Sequence, residues 1–98
     1  MDQYMIDINL PSYFDEDFIA LIPSQRNLVD KLMQQGVLES YCLALDNSKL
    51  WITLNSKSES NVVKLMKSFP LIKYMKYTVF KLAFHNQASL RFPNLSLN

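Results

Sequence analysis

Ser68-Phe69-Pro70-Leu71-Ile72-Lys73-Tyr74-Met75, followed by an apolar run that ends at His85, is the stretch that decides the fold of this chain. A helical segment stops at Pro70, because proline supplies no backbone N–H and its ring clashes with the preceding turn. One short aromatic turn follows. The residues from Tyr77 to His85 then read as a last strand.

Working back from that turn, Val62, Leu65, Met66 and Phe69 share one face of a short helix. The polar stretch 56–60 leads into it, and Ser58 or Ser60 can cap it. Before it lie two strands, 38–45 and 50–55, joined by the turn-forming residues Asp46-Asn47-Ser48. Leu50, Ile52 and Leu54 alternate there with Trp51, Thr53 and Asn55.

Further back, Phe14, Phe18, Leu21, Gln25, Leu28 and Leu32 follow at spacings of four and three, one face of a long helix. Ser12, three residues before Asp15, suggests a capping box, and Gly36 suits a left-handed helix end. Pro23 should kink or split the helix near residues 19–22. At the start, Tyr4, Ile6, Ile8 and Leu10 alternate with Met5, Asp7 and Asn9, a half-buried strand that Pro11 stops.

The order is β-α-β-β-α-β, the ferredoxin-like arrangement of an α+β domain. Ninety-eight residues suit one domain over 1–98, with 86–98 as an extended arm. Two helices would cover one sheet face and bury Ile6, Ile8, Leu10, Leu50, Ile52 and Leu54.

Composition narrows the function. The chain is 49% hydrophobic with one Gly, which excludes a disordered class. Ten basic residues against nine acidic give a net charge of +1 with no basic block, so no nucleic-acid partner is expected. No uncharged run has the roughly 18 residues of a membrane helix, and no basic signal-peptide start is present, so no membrane partner is expected. A single cysteine, Cys42, excludes an internal disulfide and fits a reducing compartment. The expected location is the cytoplasm. No sequence motif of a nucleophile, metal site or phosphate loop stands out.

The uncovered sheet face would carry Met5, Asp7, Asn9, Ser40, Cys42, Trp51 and Thr53, and from the last strand Val79, Lys81 and His85. Such a face is too apolar for free exposure and is most easily covered by a second sheet, so a homodimer or larger homo-oligomer is expected. Asp7 is a candidate base there, or an acid bonded to backbone or kept wet at a rim. His85 is a candidate proton shuttle, or a surface or interface histidine. Lys81 would set a cation by an oxyanion, or stay solvated. Trp51, Phe80 and Phe84 would wall a pocket, or serve core or dimer packing. Met5, Asn9, Ser40 and Thr53 complete the candidate pocket for a small organic ligand. Cys42 reads as a small buried hydrophobe. Gln25 on a buried stripe either bonds within the core or marks a former active-site contact.

The opening stretch resembles the S-L-P-L-F-P-Y-M turn of the muconolactone isomerase family, whose last strand also ends in a His. Asp7-Ile8-Asn9-Leu10-Pro11 resembles that family's D-V-N-I-P stretch, and Leu32-Met33-Gln34-Gln35-Gly36 resembles its L-Q-R-S-G-like helix ending. Val79, Leu82 and His85 fall in register with its final strand. The resemblance runs from about Met5 to His85. It implies a dimeric α+β barrel and the isomerisation of muconolactone to an enol-lactone of 3-oxoadipate in aromatic catabolism, without metal or organic cofactor. The family's charged positions are replaced here: a helix glutamate by Gln25, and basic residues by Val37, Leu43 and Met5.

Three functions follow as alternatives. The first is a cofactor-free proton-transfer isomerase for a small lactone or related carbonyl compound, with Asp7 or His85 moving protons. The second is a non-catalytic ligand-binding or structural dimer that has lost the family's charges. The third is a cofactor-free monooxygenase or ring-modifying enzyme, since dimeric α+β barrels host several chemistries.

Overall fold

The computed structural model describes residues 1–87. The elements run β1 (Asp2–Asn9), α1 (Glu16–Gln34), β2 (Leu38–Leu43), β3 (Lys49–Ser56), α2 (Glu59–Lys67) and β4 (Lys76–Lys81), with a 3-10 turn (Ile72–Tyr74) before β4. The four strands form one antiparallel sheet in the order β2-β3-β1-β4. This is the expected α+β, ferredoxin-like β-α-β-β-α-β fold. The two halves interleave because each helix carries the chain past a neighbouring strand before it pairs.

The alternation of β1 and β3 works as its sequence requires. Ile6, Ile8, Leu50, Ile52 and Leu54 are buried beneath the helices, with Tyr4, Val62, Met66 and Phe69 among them. Leu10 is half-buried at the edge of this core. From α1 the fully buried residues are Phe18, Gln25, Val29 and Leu32, while Phe14, Leu21 and Leu28 pack around them.

Several local expectations needed adjustment. Asp15, not Ser12, caps α1: its carboxylate accepts from the Phe18 N–H at 2.8 Å, and Glu16 and Asp17 follow it into the first turn. Pro23 does not split α1, which is continuous from Glu16 to Gln34. Pro23 is exposed, so the carbonyl left without its N–H partner faces the solvent side rather than the core. The last strand ends at Lys81 instead of reaching His85. The arm expected from residue 86 lies almost wholly outside the described residues.

The helix ends follow their capping chemistry. Ser58 accepts from the Asn61 N–H and starts α2. At the end of α1, Gly36 donates to Met33 O and Val37 donates to Leu32 O, the paired bonds of a Schellman motif. Gly36 sits at φ +74°, where a side chain is strained. Nothing lies within 4 Å of a Cβ built there, so the penalty is conformational and not steric. Gly36→Ala should therefore lower unfolding free energy by about 1 kcal/mol. Urea denaturation should show an earlier midpoint and an unchanged slope.

Candidate functional site

Side chains on the sheet face away from the helices are set by strand register. Across β2, β3 and β1, one rung holds Cys42, Trp51 and Asp7, and the next holds Ser40, Thr53 and Met5. Beyond these, Gln3 faces Asn55, and at the other end Asn9 faces Lys49. On β4 the open face carries Thr78 and Phe80, which pair with Asp7 and Met5. The expectation that Val79 and Lys81 lie there is thus corrected. Val79 pairs with Ile6 and Lys81 with Tyr4, so both belong to the helix side, because the strand's uniform apolarity hid its phase. Lys81 reaches Asp2 at 3.3 Å.

Asp7 is half-buried and occupied. Lys49 Nζ donates to its Oδ1 at 2.9 Å. Both side chains keep over a third of their surface, so the pair stabilises the fold by no more than about 1 kcal/mol. Its larger effect is local: it neutralises the acid and fixes a cation on the open face. Lys49 escaped the sequence reading because it stands at the first position of β3, next to turn residues.

A second polar cluster lies at the opposite end. A β-bulge between Leu38 and Ser40 lets Leu38 enter the core while Ser40 and Cys42 face outward. The extra residue, Glu39, is aimed over the open face. Its carboxylate accepts from Gln3 Nε2 at 2.8 Å and Asn55 Nδ2 at 3.0 Å. His85 Nδ1 lies 3.5 Å from Glu39 Oε2. The chain after β4 therefore crosses toward β2, first tied by the Leu82 N–H to Gln3 O. Glu39 was missed by strict alternation. The signal for it was the odd spacing of two inward residues, Leu38 and Tyr41, which a regular strand cannot place on one face.

The structure does not bring Asp7 and His85 together. Asp7 is four residues along β1 from the Gln3 rung at which His85 arrives, a distance of about 14 Å. Met5, Ser40 and Thr53 form the floor between the two clusters. Thr53 is 1% exposed there, while Trp51 and Phe80 are exposed. Asn9 is exposed beside Lys49 at the far end. Cys42, expected to be buried, is exposed, because the bulge turns it outward on an edge strand.

On the helix side, a groove of about 910 Å³ runs between α1 and the β2 edge. Gln25 lies at its base and is 2% exposed. Its Nε2 donates to the Tyr41 hydroxyl at 3.2 Å, and its Oε1 accepts from the Leu71 N–H at 3.2 Å. Of the two readings of Gln25, the core hydrogen bond is the one realised. Among the described residues, no group of three His, Cys, Asp or Glu side chains is placed to hold a metal ion. No helix among them is long and apolar enough to cross a membrane.

No protein-family model matches the chain, and no curated protein matches it. The likeness to the muconolactone isomerases thus rests on the short motifs, because this fold carries many unrelated functions.

Burial raises the Tyr41 pKa above its ordinary 10.0, against a smaller opposing effect of the Gln25 hydrogen bond. The neutral phenol is favoured in the folded state. Its contribution is fully present below pH 10 and is lost as pH rises through the folded-state value. Urea midpoints should accordingly fall above about pH 10. Tyr41→Phe should be less stable at neutral pH by about 1 kcal/mol and should show a shallower alkaline decline.

Proposed function

We propose that this chain is a muconolactone isomerase-like protein, a cofactor-free proton-transfer isomerase for a small lactone or related carbonyl compound. It acts in the cytoplasm as a homodimer or higher homo-oligomer, with the open sheet face as one wall of the site. The observation that carries this reading is the pairing of His85 with Glu39. A carboxylate beside Nδ1 favours the proton on that nitrogen and leaves the Nε2 lone pair free to act as a base. Glu39 is itself oriented by the Gln3 and Asn55 amides.

Shifting the double bond of such a lactone breaks a C–H bond γ to the carbonyl and forms one at the α carbon. His85 Nε2 takes the first proton, the electron pair moves into a dienolate, and the same nitrogen returns the proton at the other carbon. The imidazolium formed between these steps faces Glu39. Lys49, held by Asp7, is a cation at the other end of this face, about 14 Å from the His85 cluster and out of reach of the same small dienolate. His85, rather than Asp7, is the proton carrier in this reading, because Asp7 already serves Lys49.

Muconolactone itself should turn over far more slowly than the roughly 10 per second of an ordinary enzyme, since Gln25, Val37, Leu43 and Met5 replace charged family residues. A simple butenolide in D₂O should exchange its ring protons in the presence of the protein, followed by NMR. His85→Asn should slow that exchange by about 100-fold or more. An equal rate in His85→Asn, or no exchange with the unaltered protein, would sink the catalytic reading.

A second reading, a non-catalytic dimer, is favoured by exposed Trp51 and Phe80 on the same sheet face. Both readings need that face covered. Sedimentation equilibrium at micromolar concentration should give a dimer or larger species. Trp51→Asp should shift it to monomer, because an unpaired carboxylate would be buried in the contact. A folded monomer for the unaltered chain would rule out assembly through this face.

A further inference from the structure

We propose that the groove between α1 and the β2 edge binds a small molecule with an apolar body and a single carboxylate end. This site is on the opposite side of the sheet from His85 and does not depend on the isomerase reading. The groove, about 910 Å³, is large enough for such a ligand; small-molecule sites span roughly 300–1,000 Å³.

Its walls suit an apolar body. Phe14, Ile22 and Met33 come from the α1 side, and Leu43 and Leu50 from the sheet. Met33 and Leu43 are 40% and 53% exposed. Large apolar side chains left wet on both walls are the surface that a bound hydrocarbon would remove from water.

Two groups supply the polar end. The Tyr41 hydroxyl accepts from Gln25, so its own O–H proton must point elsewhere. No acceptor for that proton occurs among the described residues. Arg26 stands beside Gln25 in the groove wall and makes no ion pair among the described residues. A guanidinium and a phenol O–H together match a carboxylate, which accepts at both oxygens. Asp30, one turn further along α1, also lines the groove. Its charge disfavours dianions and selects for a single acid group.

Octanoate and 2-nonanone serve as probes, titrated into the full chain and followed by ¹H–¹⁵N NMR. Octanoate should give saturable shifts at the Gln25 side-chain amide and at Met33 and Leu43, and should bind more tightly than the ketone. Arg26→Gln should weaken octanoate about tenfold and leave 2-nonanone unchanged. Leu43→Glu, a substitution at an exposed position that leaves the core intact, should abolish binding of octanoate. The proposal is overturned by the absence of saturable shifts, by shifts confined to the open sheet face, or by a ketone that binds as tightly as the acid. Unchanged octanoate affinity in either variant overturns it as well.

Discussion

Gln25 ties together three parts of the chain that are far apart in sequence. Its amide sits in an apolar layer, 2% exposed, where an unpaired donor or acceptor costs about 1–3 kcal/mol. One end bonds to Tyr41 on β2 and the other to the Leu71 backbone just before the 3-10 turn. Satisfying both at once fixes how far α1 sits from the sheet edge and where the chain turns after Pro70. Phe69, Leu71 and Met75 are then delivered into the core from that turn. Tyr74 meets Phe18 edge-on at 5.0 Å, and Phe14 stacks on Phe18 at 4.0 Å. The entry angle of β4, and with it the path of the following chain to Glu39, depends on this arrangement.

The open face is organised by a different device. A regular β2 would put Leu38 and Ser40 on one side. The bulge at Glu39 avoids that conflict and turns a glutamate outward without disturbing Leu38 in the core. Two polar clusters result, Glu39 with His85 at one end and Asp7 with Lys49 at the other. Between them lies a floor of Met5, Ser40 and Thr53. The two clusters stand about 14 Å apart along β1, so a small ligand would meet only one of them at a time. The face also covers itself only in part, since Trp51 and Phe80 remain exposed.

The element order was legible because periodicity is strong where one side is buried. Ile6, Ile8, Ile52 and Leu54 alternate cleanly, Gly36 takes the left-handed position, and Ser58 caps α2. The phase of β4 was not legible: Tyr77, Thr78, Val79 and Phe80 all favour strands, and the polar residues Lys76, Thr78 and Lys81 are divided between the two faces. The candidate site was legible only in outline. Asp7 and His85 stand out as residue types, but their partners, Lys49 and Glu39, are set by cross-strand register and by a bulge. Register leaves no local sequence signal, and the bulge leaves only the odd spacing of Leu38 and Tyr41. Ser12 lost the cap to Asp15 because the chain bends once more before α1 begins, and Pro23 was tolerated because α1 turns that position to water.

A glutamine and a glutamate at position 25 would present different chemistry to the groove. A glutamate at position 25 would be acceptor-only, so Tyr41 would have to donate its proton to it. With glutamine the direction is the opposite: Nε2 donates and the phenol oxygen accepts, so the phenol proton is not committed to Gln25. A neutral amide also avoids the large cost of placing a carboxylate where almost no water reaches. Either side chain would offer the Leu71 N–H an acceptor oxygen. What changes is the chemistry presented to the groove: a neutral core with an uncommitted donor beside Arg26 attracts an acid, where a buried carboxylate in the same place would repel one.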